Sequence, residues 1–140
     1  MPHPIAYLNF DGNCEEAMRF YERVLGGKLE KLVSNADTPW ANDVPEDQRQ
    51  RVAHACLSLD GNGQLYGGDC CGDQPYEGIK GVSLTLNYDT TAEAERIFKA
   101  LAEGGTITMP LQAAFWAKTW GMLVDRFGTS WLVNGELQSY

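Results

Sequence analysis

The chain has 140 residues, 44% of them apolar and 21% charged, the composition of an ordinary globular protein and not of a disordered one. Nineteen Asp and Glu against eleven Lys and Arg leave a formal charge of −8, which repels phosphate backbones and anionic lipid and so argues against nucleic acid and membrane surfaces as partners. No apolar run approaches the roughly 18 residues that span a bilayer. Met1-Pro2-His3-Pro4 lacks the basic and apolar regions of a secretory leader, so a cytoplasmic location is expected.

Ile5 to Phe10 is an apolar, β-favouring run that ends at Asp11-Gly12, a turn signal. Asn13, with Glu16 three residues on, has the spacing of a capping box. Cys14, Ala17, Met18, Tyr21, Val24 and Leu25 then recur at helical spacing, and Gly26-Gly27 ends the helix. Strands are predicted at Lys28 to Ser34, Arg51 to Leu59 and Gln64 to Gly68. Between the first two, Asn35 to Gln50 is polar, carries Trp40, Pro39 and Pro45, and reads as a loop with a short helix near Pro45.

The same order returns in the second half. Gly81 to Leu86 reads as a strand, Thr90 and Glu93 as a capping box, and Ala94, Ile97, Phe98, Leu101 and Ala102 as an apolar helical stripe that stops at Gly104-Gly105. Strands follow at Thr106 to Met109, Trp120 to Val124 and Ser130 to Asn134, the last two joined by a tight Asp125-Arg126-Phe127-Gly128 turn. At an offset of 78, Leu8 to Gly27 and Leu86 to Gly105 align without a gap. They share Leu8/Leu86, Asn9/Asn87, Asp11/Asp89, Glu15/Glu93, Phe20/Phe98, Gly26/Gly104 and Gly27/Gly105. Such self-similarity marks a repeated unit. The expected fold class is α+β: two repeated β-α-β-β-β modules, about 1–78 and 79–140, forming a curved mixed sheet around a cleft.

The cysteines are Cys14, Cys56, Cys70 and Cys71. No C-x-x-C occurs, and a chain of this size needs no disulfide staples, so four free thiols are expected. Glu15-Glu16 and the Glu93/Glu95 pair fall in helix first turns, where the helix dipole favours carboxylates, and form no acid/base dyad.

With FYERVLGG at Phe20 to Gly27, DRFGTSW at Asp125 to Trp131, His54-Ala55 on a strand and FWAKTWGMLVDRFGTSWLVN at Phe115 to Asn134, the chain resembles the vicinal oxygen chelate superfamily (glyoxalase, bleomycin resistance and dioxygenase proteins). Within it the likeness is to the PhnB-like branch, and it covers nearly the whole chain. The resemblance implies a homodimer. It also implies four metal-ligand positions in the catalytic members, on the first and last strand of each module, usually His, Glu or Gln. Here they fall at about Ala6, Gly67, Ser83 or Leu84, and Leu132. None offers imidazole or carboxylate, so no cofactor is expected, and a divalent metal enters only with a rebuilt ligand set that includes His54. Proteins of this branch also carry the label demethylubiquinone methyltransferase. Gly61-Asn62-Gly63 joins two predicted strands and not a strand to a helix, so it gives that activity little support.

His54 is the only histidine inside the chain and shares a strand face with Cys56 and Ser58 by period 2. It can be a structural histidine, a polar contact to a ligand, a general base, or with Cys56 a metal ligand. Trp116, Trp120 and Trp131 gather near the second module's end: Trp131 suits the core, while Trp116 and Trp120 suit either core or pocket wall. Asp125 suits a turn cap. The expected ligand pocket is His54, Cys56, Trp116 and Trp120, with His54 the candidate catalytic residue and a small molecule the partner. The expectation is thus a small-molecule binding protein without a bound metal. Its alternatives are a metal-free enzyme using His54 as general base and a metal-dependent lyase, thiol transferase or dioxygenase.

Overall fold

The apolar periodicities become secondary structure mostly where the spacing places them. The computed structural model describes residues 2–61, 63–70 and 75–139, and the chain divides into two units, Met1–Gly78 and Ile79–Tyr140, each with its own sheet and helix. The first unit runs β1 (Ala6–Phe10), α1 (Cys14–Leu25), β2 (Lys28–Ser34), β3 (Val52–Ser58) and β4 (Gln64–Asp69). Its sheet has the order β1-β4-β3-β2, with β1 parallel to β4 and the other pairs antiparallel. The second runs β5 (Leu84–Tyr88), α2 (Thr91–Ala102), β6 (Thr106–Gln112), β7 (Ala117–Val124) and β8 (Ser130–Leu137), with the order β5-β8-β7-β6 and the same senses. This is the expected α+β repeat of two mixed four-stranded sheets, each with one helix. No described helix is long and apolar enough to cross a membrane.

Each helix seals one face of its sheet. In the first unit Cys14, Ala17, Met18 and Tyr21 of α1 are buried together with Leu8, Phe10, Ala55, Leu57 and Leu65. In the second, Ala94, Ile97, Phe98 and Leu101 of α2 are buried with Leu123, Trp131 and Val133. Burying one such aliphatic or aromatic side chain is worth about 1.5–3 kcal/mol, so these two faces hold the fold and leave the opposite faces to other uses.

Several boundaries move from their predicted places, each for a local reason. Gly81 has φ +76°, outside strand conformation, so β5 starts at Leu84 and runs to Tyr88, where pairing with β8 continues to Gly135. The edge strand β6 extends past Met109 through an irregularity that contains Pro110; proline reads as a breaker in sequence but is tolerated at an edge. The segment from Asn35 to Gln48 holds three single turns of 3-10 helix, the last beginning just after Pro45. Cys14, Cys56 and Cys70 are free thiols; Cys71 and Asn62 lie outside the described residues.

The first capping box does not form. Asn13 adopts φ −115° and ψ 23° and its side chain caps nothing. The helix start is held from across the sheet instead: Asp69 Oδ1 at the end of β4 accepts from the Gly12 and Cys14 N–H groups at 2.9 and 3.0 Å, and Oδ2 accepts from Val52 N–H at 2.9 Å. The second cap forms as expected, with Thr90 Oγ1 accepting from Glu93 N–H at 3.1 Å. Glu136 of β8 adds a carboxylate from the last strand here too, accepting from Thr91 N–H at 3.2 Å. Both modules thus place a last-strand carboxylate at the positive end of the helix dipole.

The two glycines that end each helix do different work. Gly26 and Gly104 take φ +79° and +76°, the left-handed conformation that closes a helix. The second of each pair is needed for close approach. A Cβ on Gly27 would collide with the Ser58 carbonyl oxygen, and one on Gly105 with the Val124 carbonyl oxygen, with the Asp125 backbone carbon at 2.9 Å. Gly105→Ala should therefore destabilise by about 3 kcal/mol, because a strand backbone must shift, whereas Gly104→Ala should cost about 1 kcal/mol of backbone strain. Urea denaturation of the two variants checks this; equal losses would contradict it.

Candidate functional site

Strand pairing decides which side chains share the sheet face turned away from the helix, because directly paired residues project to the same side. A side chain at Gly67 would lie 3.3 Å from Met18 Sδ and 3.4 Å from Cys14 Sγ, so Gly67 faces α1. Its partners Leu8 and Ala55 do too, and Ala6, two residues before Leu8, falls on the same side. The open face of the first unit therefore carries Tyr7 and Tyr66, which pair, Cys56 opposite Tyr66, and His54 two residues earlier.

His54 and Cys56 lie on one face as their spacing predicts, but the imidazole is engaged by aromatic rings. It stacks against Tyr7, with centroids 6.1 Å apart and planes at 24°, and meets Tyr66 edge-on at 5.3 Å and 78°. Gly68 makes room for this: a Cβ there would sit 2.6 Å from the Tyr7 hydroxyl oxygen. The Tyr7 O–H donates to the Ala53 carbonyl at 3.3 Å, and burial, with Cys14 adding to it, pushes its pKa up. Among the described residues no carboxylate is hydrogen bonded to His54. Its surroundings form an aromatic cluster in which His54 and Tyr66 are half-buried and Tyr7 is exposed. Neither tyrosine stands out in composition; the period-2 alternation of YLNF and QLYG was the signal that could have found them.

The open face of the second unit carries a continuous rung. Gln112 pairs with Trp120, Trp120 with Asn134, and Asn134 with Asn87, one residue from each strand of the sheet. Trp116 lies in the bend before β7. Its indole N–H donates to Asn134 Oδ1 at 3.0 Å, and Asn134 Nδ2 donates to Asn87 Oδ1 at 2.9 Å. Trp116 packs on Trp120 at a centroid distance of 5.0 Å and on Phe115 at 4.9 Å. Asn134 is buried, Trp116 and Trp120 are half-buried, and Phe115 is exposed. Trp131 belongs to the core, its indole N–H donating to Asp125 Oδ2 at 2.8 Å, while Asp125 Oδ1 caps the turn by accepting from Phe127 and Thr129 N–H. The predicted site residues thus form two pairs, His54 with Cys56 in one unit and Trp116 with Trp120 in the other. Asn134 and Asn87 were missed, although Asn87 is an identity of the internal repeat.

The metal-ligand positions that the resemblance implies can be tested on this geometry. Ala6 and Gly67 face α1 and not the open side, and Leu84 pairs with Trp131 on the side of α2. Ser83 precedes β5 and shares a hydrogen bond with Ser130, Oγ to Oγ at 2.7 Å. On the open faces, first and last strands present Tyr7 with Tyr66, and Thr85 with Leu132. Among the described residues no three His, Cys, Asp or Glu side chains gather to hold an ion. Phenols, a hydroxyl and a leucine do not fit a first-row divalent metal, which takes imidazole, thiolate or carboxylate.

Comparison with known proteins agrees with the fold and names the family. Residues 3–134 match the family model described as 3-demethylubiquinone-9 3-methyltransferase. Protein YjdN of Escherichia coli is 31% identical over 137 residues, 91% of each chain. Protein PA1353 of Pseudomonas aeruginosa is 46% identical, with a TM-score of 0.89 over 97% of this chain and 98% of that one. A PhnB protein from Bacillus cereus is 25% identical, with a TM-score of 0.78 over 96% and 99%. At 14% identity, a glyoxylase/bleomycin resistance protein/dioxygenase domain from Frankia shares the fold, with a TM-score of 0.68 over 97% and 98%. The chain therefore belongs to the PhnB-like family described as 3-demethylubiquinone-9 3-methyltransferase and carries the fold of the glyoxalase/bleomycin resistance/dioxygenase proteins.

Proposed function

We propose that the chain is a small-molecule binding protein that binds on the open face of a sheet without a divalent metal, with His54 as a polar contact on the face of the first unit. One observation carries this reading. Each unit presents, on the face its helix leaves open, aromatic rings packed with polar side chains: His54 between Tyr7 and Tyr66, and Asn134 with Asn87 beside Trp116 and Trp120. Aromatic walls with a few fixed polar groups are how proteins hold small planar ligands. Catalysis by a general base asks in addition for a group that orients the imidazole, and the ring contacts of His54 are to two tyrosines. The family description speaks of methyl transfer. The segment between β3 and β4, however, links two strands, whereas the glycine-rich turns that cradle nucleotide-type cofactors open a helix.

Two measurements test the proposal. Saturation-transfer NMR with a set of planar aromatic fragments should detect binding, and Trp120→Ala should weaken those bound on the second unit about fivefold, the loss of one aromatic contact. His54→Ala should weaken those bound on the first unit. A thermal melt of chelator-treated protein should be unmoved by Ni²⁺, Zn²⁺, Mn²⁺ or Fe²⁺. A metal present at 100 times its Kd adds about 2.7 kcal/mol. A rise of that size that disappears in His54→Ala would replace this reading with a metalloenzyme.

A further inference from the structure

The polarity of the rung in the second unit is set by a single atom. An indole N–H can only donate. Because Trp116 Nε1 lies 3.0 Å from the Asn134 side chain, the Asn134 oxygen must face the indole. Its NH₂ then faces Asn87, whose own oxygen must turn inward to accept it at 2.9 Å. Both amides are locked against flipping by a donor that cannot reverse. The consequence is at the far end: the Asn87 carboxamide is held with its oxygen turned inward to Asn134 and its NH₂ outward, on an exposed residue at the edge strand β5.

Three features of the surroundings define what this donor would meet. Trp120 lies on the same rung, two strands away, or about 10 Å between backbones, and with Trp116 forms an aromatic wall. Asn87 also lines a hollow of about 320 Å³ with Tyr88, Asp89, Glu136 and Leu137. The Glu136 carboxylate is matched by Lys118 Nζ at 2.9 Å, which leaves Asp89 as the net charge there and disfavours an anion. At Asn87 itself the outward NH₂, a donor, offers a cation no ligand atom. In the first unit the position of Asn134 is taken by Gly68, paired with Asn9. The rung is therefore special to the second unit and not a general device of the repeat.

Building on the small-molecule reading, we infer that Asn87 is a specificity-determining residue: it donates from its fixed carboxamide NH₂ to the carbonyl oxygen of an uncharged planar ligand whose ring system packs on Trp120 and Trp116. Asn134 is a positioning residue that transmits the polarity of the indole.

Three probes and two variants test this. Coumarin is uncharged and planar with one exocyclic carbonyl; naphthalene has a similar shape and no acceptor; coumarin-3-carboxylate adds a negative charge. Affinities are read from chemical-shift titration of the ¹⁵N-labelled protein, including the Asn87 side-chain NH₂ signals. Coumarin should bind about tenfold more tightly than naphthalene, the worth of one well-placed hydrogen bond, and more tightly than its carboxylate. Asn87→Asp keeps the inward acceptor, and with it the bond from Asn134, but replaces the outward donor by an acceptor. Asn87→Leu removes both. Each should abolish the coumarin advantage and leave naphthalene unchanged, and the backbone amide spectrum shows that each is folded. Equal binding of coumarin and naphthalene, an unchanged coumarin affinity in Asn87→Asp, or tighter binding of the carboxylate would each overturn this inference while leaving the binding reading standing. Failure of both neutral probes to shift any signal of the second unit would overturn this inference, and failure to shift any signal of either unit would overturn the two together.

Discussion

Asp125→Ala should lower the stability of the protein by about 3 kcal/mol, because it strands several buried donors at once. The carboxylate is 3% exposed. Its Oδ1 accepts from Phe127 N–H at 2.9 Å and Thr129 N–H at 3.0 Å, and its Oδ2 from Trp131 Nε1 at 2.8 Å. One side chain therefore closes the β7–β8 turn and anchors the largest fully buried ring among the described residues. The melting temperature should fall by roughly 10 °C for a domain near this size. Asp125→Asn separates the two roles. An amide oxygen can still serve the turn, but its NH₂ would then face the indole N–H, donor against donor. Trp131→Phe removes that conflict, at its own packing cost, so the double variant should be more stable than the sum of the single losses predicts. Strict additivity in the cycle would show that the indole contact carries no weight.

What the sequence made legible, and what it hid, follows from the range of each interaction. The repeat, the helical stripes and the turn at Asp125 are local patterns, and all of them reappear in the structure. The helix cap from Asp69 is not local: it joins residues 55 and 57 apart, and no spacing near Asn13 announces it. The local capping box fails because Asn13 lacks the extended conformation a capping residue needs, and the carboxylate holds the helix start through different donors, the Gly12 and Cys14 N–H groups. The placement of the implied metal ligands shows a different limit. A side chain's face alternates at every residue, so an error of one in counting through a turn exchanges the helix side for the open side. That is how Ala6 and Gly67 came to stand where Tyr7 and Tyr66 present their rings. His54, Cys56, Trp116 and Trp120 were singled out because their types are conspicuous. Asn87 and Asn134 were not, because a carboxamide acquires its meaning only from the donor that fixes it.

Alkaline pH should destabilise this protein earlier than its acidic composition suggests, and Cys14 should be the main cause. The thiol is fully buried. Burial, reinforced by the charges of Asp69 and Glu15, pushes its pKa from 9.0 up to about 12. Below pH 9 the thiol is protonated in both the folded and the unfolded chain, and its full contribution to stability is present. Above pH 9 the unfolded chain gains by ionising while the folded chain does not, so stability falls by up to about 1.4 kcal/mol per pH unit until the folded thiol titrates. The phenols of Tyr7, Tyr76 and Tyr88, each raised chiefly by burial, add losses of the same sign from their ordinary value of 10.0 upward. Removing the thiol should therefore reverse its apparent value with pH. At pH 7, Cys14→Ala should be less stable than the native chain by about 1 kcal/mol, since a sulfur packed on β4 is lost. At pH 11 the native chain should have lost about 2.7 kcal/mol to thiol ionisation in the unfolded state, a loss the variant does not suffer, and the order should invert. Urea denaturation of both proteins at pH 7, 9 and 11 under a non-thiol reductant measures this directly. A stability difference that stays constant across that range would mean that the Cys14 thiol ionises as readily in the folded protein as in the unfolded chain.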